Sequence, residues 1–137
     1  MSLKPEEIDH INLINWFHYN YPELADDFHH FANERRCSVQ QGRILKRMGV
    51  KKGVSDFFLA VPCGDYHGLW IELKVGKGKL SIEQSEFLCR KNERGYIATA
   101  AWGFDAAKEL ILTYLRNHNK DRVNTESKIL YNNNPIC

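Results

Sequence analysis

No apolar run in the chain approaches the roughly 20 residues that a membrane-spanning helix needs. The opening Met1-Ser2-Leu3-Lys4-Pro5 lacks the basic and apolar regions of a secretory signal. Four cysteines, Cys37, Cys63, Cys89 and Cys137, are widely spaced and form no Cys-x-x-Cys pair. That favours reduced thiols over a disulfide or zinc framework. His29-His30 and His67 do not supply metal-ligand spacing with them either. A Gly-x4-Gly-Lys-Ser/Thr phosphate loop is missing: Gly76-Lys77-Gly78-Lys79 follows a strand-like run without that spacing. There is no internal repeat and no sign of a second domain.

Acidic residues are also missing from one stretch. Between Arg35 and Ser55 stand seven basic residues, Arg35, Arg36, Arg43, Lys46, Arg47, Lys51 and Lys52, and no Asp or Glu. The other twelve Lys and Arg face all seventeen Asp and Glu, a balance of −5 hidden inside a net charge of +2. So concentrated a segment suits a phosphate-backbone partner, or else forms a solvated helix face.

What is present describes one ordinary globular domain. The chain has 137 residues, 43% hydrophobic and 26% charged, enough to bury a core. Pro5-Glu6-Glu7 opens a helix whose apolar stripe is read through Ile8, Ile11, Ile14 or Asn15, and Phe17 or His18, ending before Tyr21-Pro22. Asp27 to Asn33 reads as a strand carrying His29 and His30, one inward and one outward, and Val39 to Met48 as a helix stopped by Gly49. Asp56 to Val61 is nearly continuous in apolar residues, as in a central strand. Pro62 to Gly68 is turn chemistry, and Leu69 to Val75 alternates, with Trp70, Glu72 and Lys74 on one face. Two strands so closely joined should pair antiparallel. Ser81-Ile82-Glu83-Gln84 is a capping box opening a helix to about Arg94, closed by Gly95. Tyr96 to Trp102 gives another strand, and Asp105 caps a last helix striped by Ala107, Leu110, Ile111, Tyr114 and Leu115. Residues 1–118 are taken as the single domain and the polar 119–137 as a mobile tail. The fold class is α/β, a small mixed sheet with helices on both faces.

The chemistry concentrates on Asp56 and on Glu72-Leu73-Lys74. Glu72 and Lys74 project from the same strand face, roughly 7 Å apart. Two carboxylates and an ammonium on one sheet face are costly in a core but suit a divalent metal. Asp56 and Glu72 would hold the ion, with a backbone carbonyl such as that of Leu73, and magnesium fits such a site. Lys74 would act on the attacking water or on the phosphate charge. The competing reading is an exposed Glu72/Lys74 pair of little energetic consequence. Trp70, on the same alternating pattern, either packs in the core or stacks on a base.

The ordered set Gly49-Val50-Lys51-Lys52-Gly53-Val54-Ser55-Asp56-Phe57-Phe58-Leu59-Ala60-Val61-Pro62, Tyr66-His67-Gly68-Leu69-Trp70-Ile71-Glu72-Leu73-Lys74, Ser81 to Gln84 and Gly95-Tyr96 resembles a stand-alone VRR-NUC domain of the PD-(D/E)xK nuclease superfamily. The resemblance spans about Glu6 to Leu115. It implies a restriction-endonuclease-like αβββαβ core and Mg²⁺- or Mn²⁺-dependent DNA endonuclease activity. It further implies branched DNA as substrate, as for Holliday-junction resolvases, a homodimer, and a cytoplasmic setting in a bacterium or phage-infected cell. By position, Asp56 and Glu72 become metal ligands and Lys74 the catalytic lysine. Gln84 matches a glutamine near the active centre while also completing a capping box. Glu6, with Glu7 as the alternative, takes the place of a first-helix carboxylate that assists catalysis and the metal. Asn33, Arg35, Arg36, Arg43, Lys46, Arg47, Lys51, Lys52, Lys77 and Lys79 are the candidate DNA contacts. Two departures stand out. Ser55 replaces the usual proline before the aspartate, and Ala32-Asn33-Glu34-Arg35 replaces Pro-Asn-Gly-Gly. The second bears on substrate preference more than on catalysis. A DNA-binding or assembly module of the same fold without turnover is the competing function.

Overall fold

Proline in the first turn of α1 (Pro5–Asn20) loses no hydrogen bond there, and Glu6 and Glu7 complement the positive end of the helix dipole. Glu7 accepts from the Lys4 backbone N–H at 2.8 Å, so its carboxylate is spent on closing the helix start. The described residues of this computed structural model are 2–32 and 37–116. The expected tail over 119–137 lies outside them.

The buried face of α1 is not the isoleucine stripe. Leu13 and Phe17 are fully buried, whereas Ile8 and Ile11 are 42% and 44% exposed. Glu6 and His10 share the inward face at the same four- and three-residue spacing, roughly 150° around the helix from Ile8 and Ile11. Aromatic packing decides the rotation: Phe17 lies against Phe28 and Tyr21 at ring separations of 4.5 and 5.2 Å. Pro22 does more than end α1, since it begins a 3-10 turn, Pro22–Asp27.

Strand β1 (Phe28–His30), helix α2 (Val39–Arg47), strands β2 (Phe57–Leu59) and β3 (Leu69–Lys74), helix α3 (Ile82–Glu93), strand β4 (Ile97–Trp102) and helix α4 (Phe104–Arg116) follow in order. The sheet order is β1-β2-β3-β4. The first two pairings are antiparallel and β3–β4 is parallel, crossing over through α3. This is the mixed, helix-flanked α/β sheet expected. Ser38 and Ser81 cap α2 and α3, each in a reciprocal box with Gln41 or Gln84. Asp105 does not cap α4; the helix already starts at Phe104, leaving Asp105 in the first turn.

Both sheet faces are covered, so the alternation of β3 does not give an exposed face. Leu13, Phe17, Phe57, Leu59, Leu69, Ile71, Leu73, Ile111 and Tyr114 fill the side toward α1 and α4. Trp70, Phe87, Leu88 and Ala98 form a second cluster toward α3. Each fully buried Leu or Phe contributes about 1.5–3 kcal/mol over the exposed state. Tyr114 fastens α4 to the chain after β2, its hydroxyl donating to the Val61 carbonyl at 2.7 Å. Cys37 and Cys63 are free thiols, burial raising the Cys63 thiol pKa to about 11. Among the described residues no helix is long and apolar enough to cross a membrane.

Candidate active site

Asp56 immediately precedes β2, where Phe57 pairs with Ile71, so it stands beside Glu72 of β3. Its Oδ2 accepts the Leu73 backbone N–H at 2.8 Å. The turn before it is set by Gly53, at φ +82°, where a Cβ would lie 2.5 Å from the Glu83 backbone of α3. This packing ties the approach to Asp56 to the N-terminal turn of α3. Ser55, in the position where proline was the expectation, is buried, and its hydroxyl has no partner among the described residues.

Glu72 is only 3% exposed, which removes the reading of a solvated surface pair. Its Oε1 accepts from Gln84 Nε2 at 2.9 Å and faces Lys74 Nζ at 3.6 Å. Its Oε2 is buried without a partner among the described residues. Burial, and after it the Asp56 charge, raise the Glu72 carboxyl pKa from 4.5 to about 8, against the pull of the Lys74 ammonium. Gln84 has both roles offered for it: its Oε1 accepts from the Ser81 backbone N–H at 2.9 Å while its amide nitrogen donates to Glu72.

A further pair of residues flanks the aspartate. His10 of α1 places Nε2 3.7 Å from Asp56 Oδ2, and that nitrogen is buried without a hydrogen bond among the described residues. His30 of β1 packs against His10 at a ring separation of 5.0 Å and against Phe57 at 4.9 Å. Burial, then His10, lowers the His30 pKa, against a smaller pull from Asp56. Sequence reasoning alone misses His10. Its four-residue spacing from Glu6 is the available signal, concealed once the isoleucine stripe is chosen as the inner face. A cavity of about 590 Å³ opens beside it, lined by Leu3, Glu7, His10, Ile11, Ile14, Asn15 and His30. That cavity borders the histidines rather than Glu72 and Gln84.

The donor set fits one hard divalent cation. Two carboxylates adjoin, one has its pKa raised by burial and then by the other, and a buried carboxylate oxygen has no protein partner among the described residues. Among the described residues no three His, Cys, Asp or Glu side chains gather closely enough to hold an ion by themselves. An ion would therefore take Asp56 and Glu72 and complete its shell with carbonyl, water or substrate oxygens. Glu6 lies on the inward face of α1 and partly buried, whereas Glu7 is exposed and tied to Lys4.

Of the candidate DNA contacts, Asn33, Arg35 and Arg36 lie outside the described residues. Arg43, Lys46 and Arg47 are exposed on α2, Lys51 and Lys52 follow it, and Lys77 and Lys79 are exposed after β3. Trp70 is core: it stacks on Phe58 at 4.2 Å, meets Phe87 edge-on, and lies beneath the Lys91 ammonium.

No family model matches the chain, and no curated protein does. Among solved structures it is similar to a VRR_NUC domain protein, with a TM-score of 0.73 and 28% identity. The match covers 85% of this chain and 93% of that one. It supports a nuclease-domain protein and agrees with the resemblance read from the motifs.

Proposed function

Taking the chain as VRR-NUC-like in both motif order and fold, we propose that it is a Mg²⁺- or Mn²⁺-dependent endodeoxyribonuclease acting on branched DNA, as a homodimer. One observation carries the catalytic part. Glu72 is buried with Oε1 held by Gln84 and Lys74, and its Oε2, which no donor among the described residues meets, lies by the Asp56 carboxylate. A core position free of catalytic demand would not retain an unpaired carboxylate oxygen against this desolvation cost.

The ion, when bound by Asp56 and Glu72, supplies charge neutralisation at the phosphate and a more acidic water. The Leu73 N–H holds Asp56 in place, and Gln84 fixes the rotamer of Glu72. Lys74 projects from the same face and would orient the attacking water or meet the charge gathering on the phosphate. Glu6, partly buried on α1, would serve as the remaining carboxylate. The exposed lysines and arginines on α2 and after β3 would follow the phosphate backbone. Two copies follow from the symmetry of a junction, which offers two equivalent strands to cut.

The test is a panel of four-way junction, flap, single-stranded and blunt duplex DNA with Mg²⁺, Mn²⁺ or EDTA, run with Lys74→Ala and Glu72→Ala. Metal-dependent cleavage abolished by both substitutions is the expected result. Cleavage that survives both would end the assignment. Binding without cleavage of any substrate would favour a DNA-binding or assembly module instead.

A further inference from the structure

Beside Lys74, β4 ends in an aromatic residue that packing does not require. Trp102 pairs with Lys74 in the parallel register, placing it one strand away, about 4.8 Å, on the face that carries Glu72 and Lys74. Its side chain is 45% exposed, unlike Trp70, whose pair stands four positions earlier in the same register and which is 9% exposed. Trp102 is nonetheless fixed. Its indole N–H donates to the Gly78 carbonyl at 2.7 Å. Gly78 in turn lies against the Lys74 stem, where an added Cβ would meet the lysine Cδ at 3.6 Å.

The surroundings are open and basic. At Gly76 and Gly103, which follow the ends of β3 and β4, an added Cβ would meet nothing within 4 Å. Lys77 and Lys79 are exposed on either side of the Gly78 carbonyl that holds the indole. An exposed, anchored indole thus stands beside Lys74, and Lys77 and Lys79 adjoin in sequence the glycine that holds it.

We propose that Trp102 is a stacking platform for an unpaired nucleobase next to the scissile phosphate, with Lys77 and Lys79 taking the adjoining backbone phosphates. The inference rests on the nuclease reading of the Asp56–Glu72–Lys74 site and names the feature of the substrate that this site selects. An anchored ring loses little conformational freedom on binding, and every base offers a π face to it. In paired DNA both faces of a base are already stacked, so only an unpaired base at a branch, gap or single strand reaches the indole without a large unstacking cost. The platform therefore favours DNA with unpaired nucleotides over blunt duplex.

Binding is measured in EDTA, so that nothing is cleaved, using fluorescently labelled oligothymidylate and a blunt duplex of equal length. Trp102→Ala is expected to weaken binding of the single strand about tenfold and that of the duplex less than about twofold. Trp102→Phe keeps a ring but loses the bond to Gly78, and should stay within about threefold of the wild type on the single strand. Intrinsic tryptophan emission should be quenched by oligothymidylate in the wild type and much less in Trp102→Phe. Equal losses on both DNAs would overturn the proposal. So would a Phe variant as weak as the Ala variant, because the indole would then serve only to hold the loop. Wild-type protein that neither binds nor cleaves any DNA would overturn the nuclease reading itself. Wild-type cleavage of branched DNA with Trp102→Ala unchanged on every substrate would overturn the platform alone.

Discussion

Gln84 donates from Nε2 to Glu72 Oε1 at 2.9 Å while its Oε1 accepts the Ser81 backbone N–H at the same distance. One side chain thus closes the start of α3 and fixes the rotamer of a buried carboxylate on β3. The capping box makes the helix begin where the amide can reach the sheet.

These two roles separate by mutation. Ser81→Ala removes the hydroxyl that accepts from the Gln84 backbone N–H but leaves the amide free to hold Glu72. It should cost about 1 kcal/mol of stability, read by denaturant unfolding, and leave the rate of cleavage within about twofold. Gln84→Leu keeps the volume and loses both amide bonds. It should lower the cleavage rate at saturating DNA by about tenfold or more, because Glu72 is left free to turn. Equal activity in the two variants would show that the bond to Glu72 has no catalytic consequence.

Glu72 makes stability depend on pH in a defined direction. Its folded pKa is raised to about 8 from an ordinary value of 4.5, first by burial and next by Asp56. Between those values the folded state binds more protons than the unfolded one, so stability in metal-free buffer falls as pH rises and levels off above pH 8. Glu72→Gln removes this slope. The variant should match the wild type near pH 4.5 and melt at a higher temperature than the wild type at pH 8 in EDTA. Mg²⁺ or Mn²⁺ added at pH 8 should then raise the melting temperature of the wild type and leave Glu72→Gln unchanged. A wild-type profile flat in pH, or a metal shift retained by the variant, would contradict this.

Much of this site was legible in the chain because its elements carry local signals. Turn glycines, the Ser81 box and the apolar β2 and β3 runs set the order of strands, and antiparallel pairing brings Asp56 beside Glu72. Two things were not legible. Helices on both faces of the sheet are expected from the sequence, but the depth to which Glu72 is buried depends on how α3 packs over Trp70, a contact distant in sequence. The rotation of α1 is misread because isoleucines at 8 and 11 outweigh Glu6 and His10 on any hydrophobicity scale. The aromatic packing of Phe17 overrides that preference, and the same rotation brings His10 against Asp56.

Gly53 tests whether the approach to Asp56 is set by backbone packing. Any side chain there would both strain a φ of +82° and drive a Cβ to 2.5 Å from the Glu83 backbone. Neither of the two nearest atoms is the movable end of a side chain. Gly53→Ala is expected to lower stability by about 2–4 kcal/mol. The surviving folded fraction should cleave more slowly, since α3 and the turn before Asp56 must part. Gly49 provides the control: it also has a positive φ, +95°, but nothing within 4 Å of an added Cβ. Gly49→Ala should therefore cost only the backbone strain, about 1 kcal/mol, with cleavage unchanged. Similar effects at both positions, measured by urea unfolding and initial rates, would show that the close approach to Glu83 is unimportant.

The basic segment makes the final prediction, and helix geometry sharpens it. Arg43, Lys46 and Arg47 are exposed and spaced three and four apart on α2, so they share one side of a helix that buries no residue of its own. Replacing all three by Glu should leave the fold intact, because none of them packs in either core cluster. If they neutralise DNA phosphates, the variant should bind more weakly across all sequences. Its dependence of log affinity on log salt should flatten by about two to three units, at about 0.9 for each phosphate that is no longer neutralised. The metal-induced rise in melting temperature should stay as in the wild type, since Asp56 and Glu72 are untouched. An unchanged salt slope would assign this face of α2 to solvent and leave the lysines after β3 as the main phosphate-binding groups.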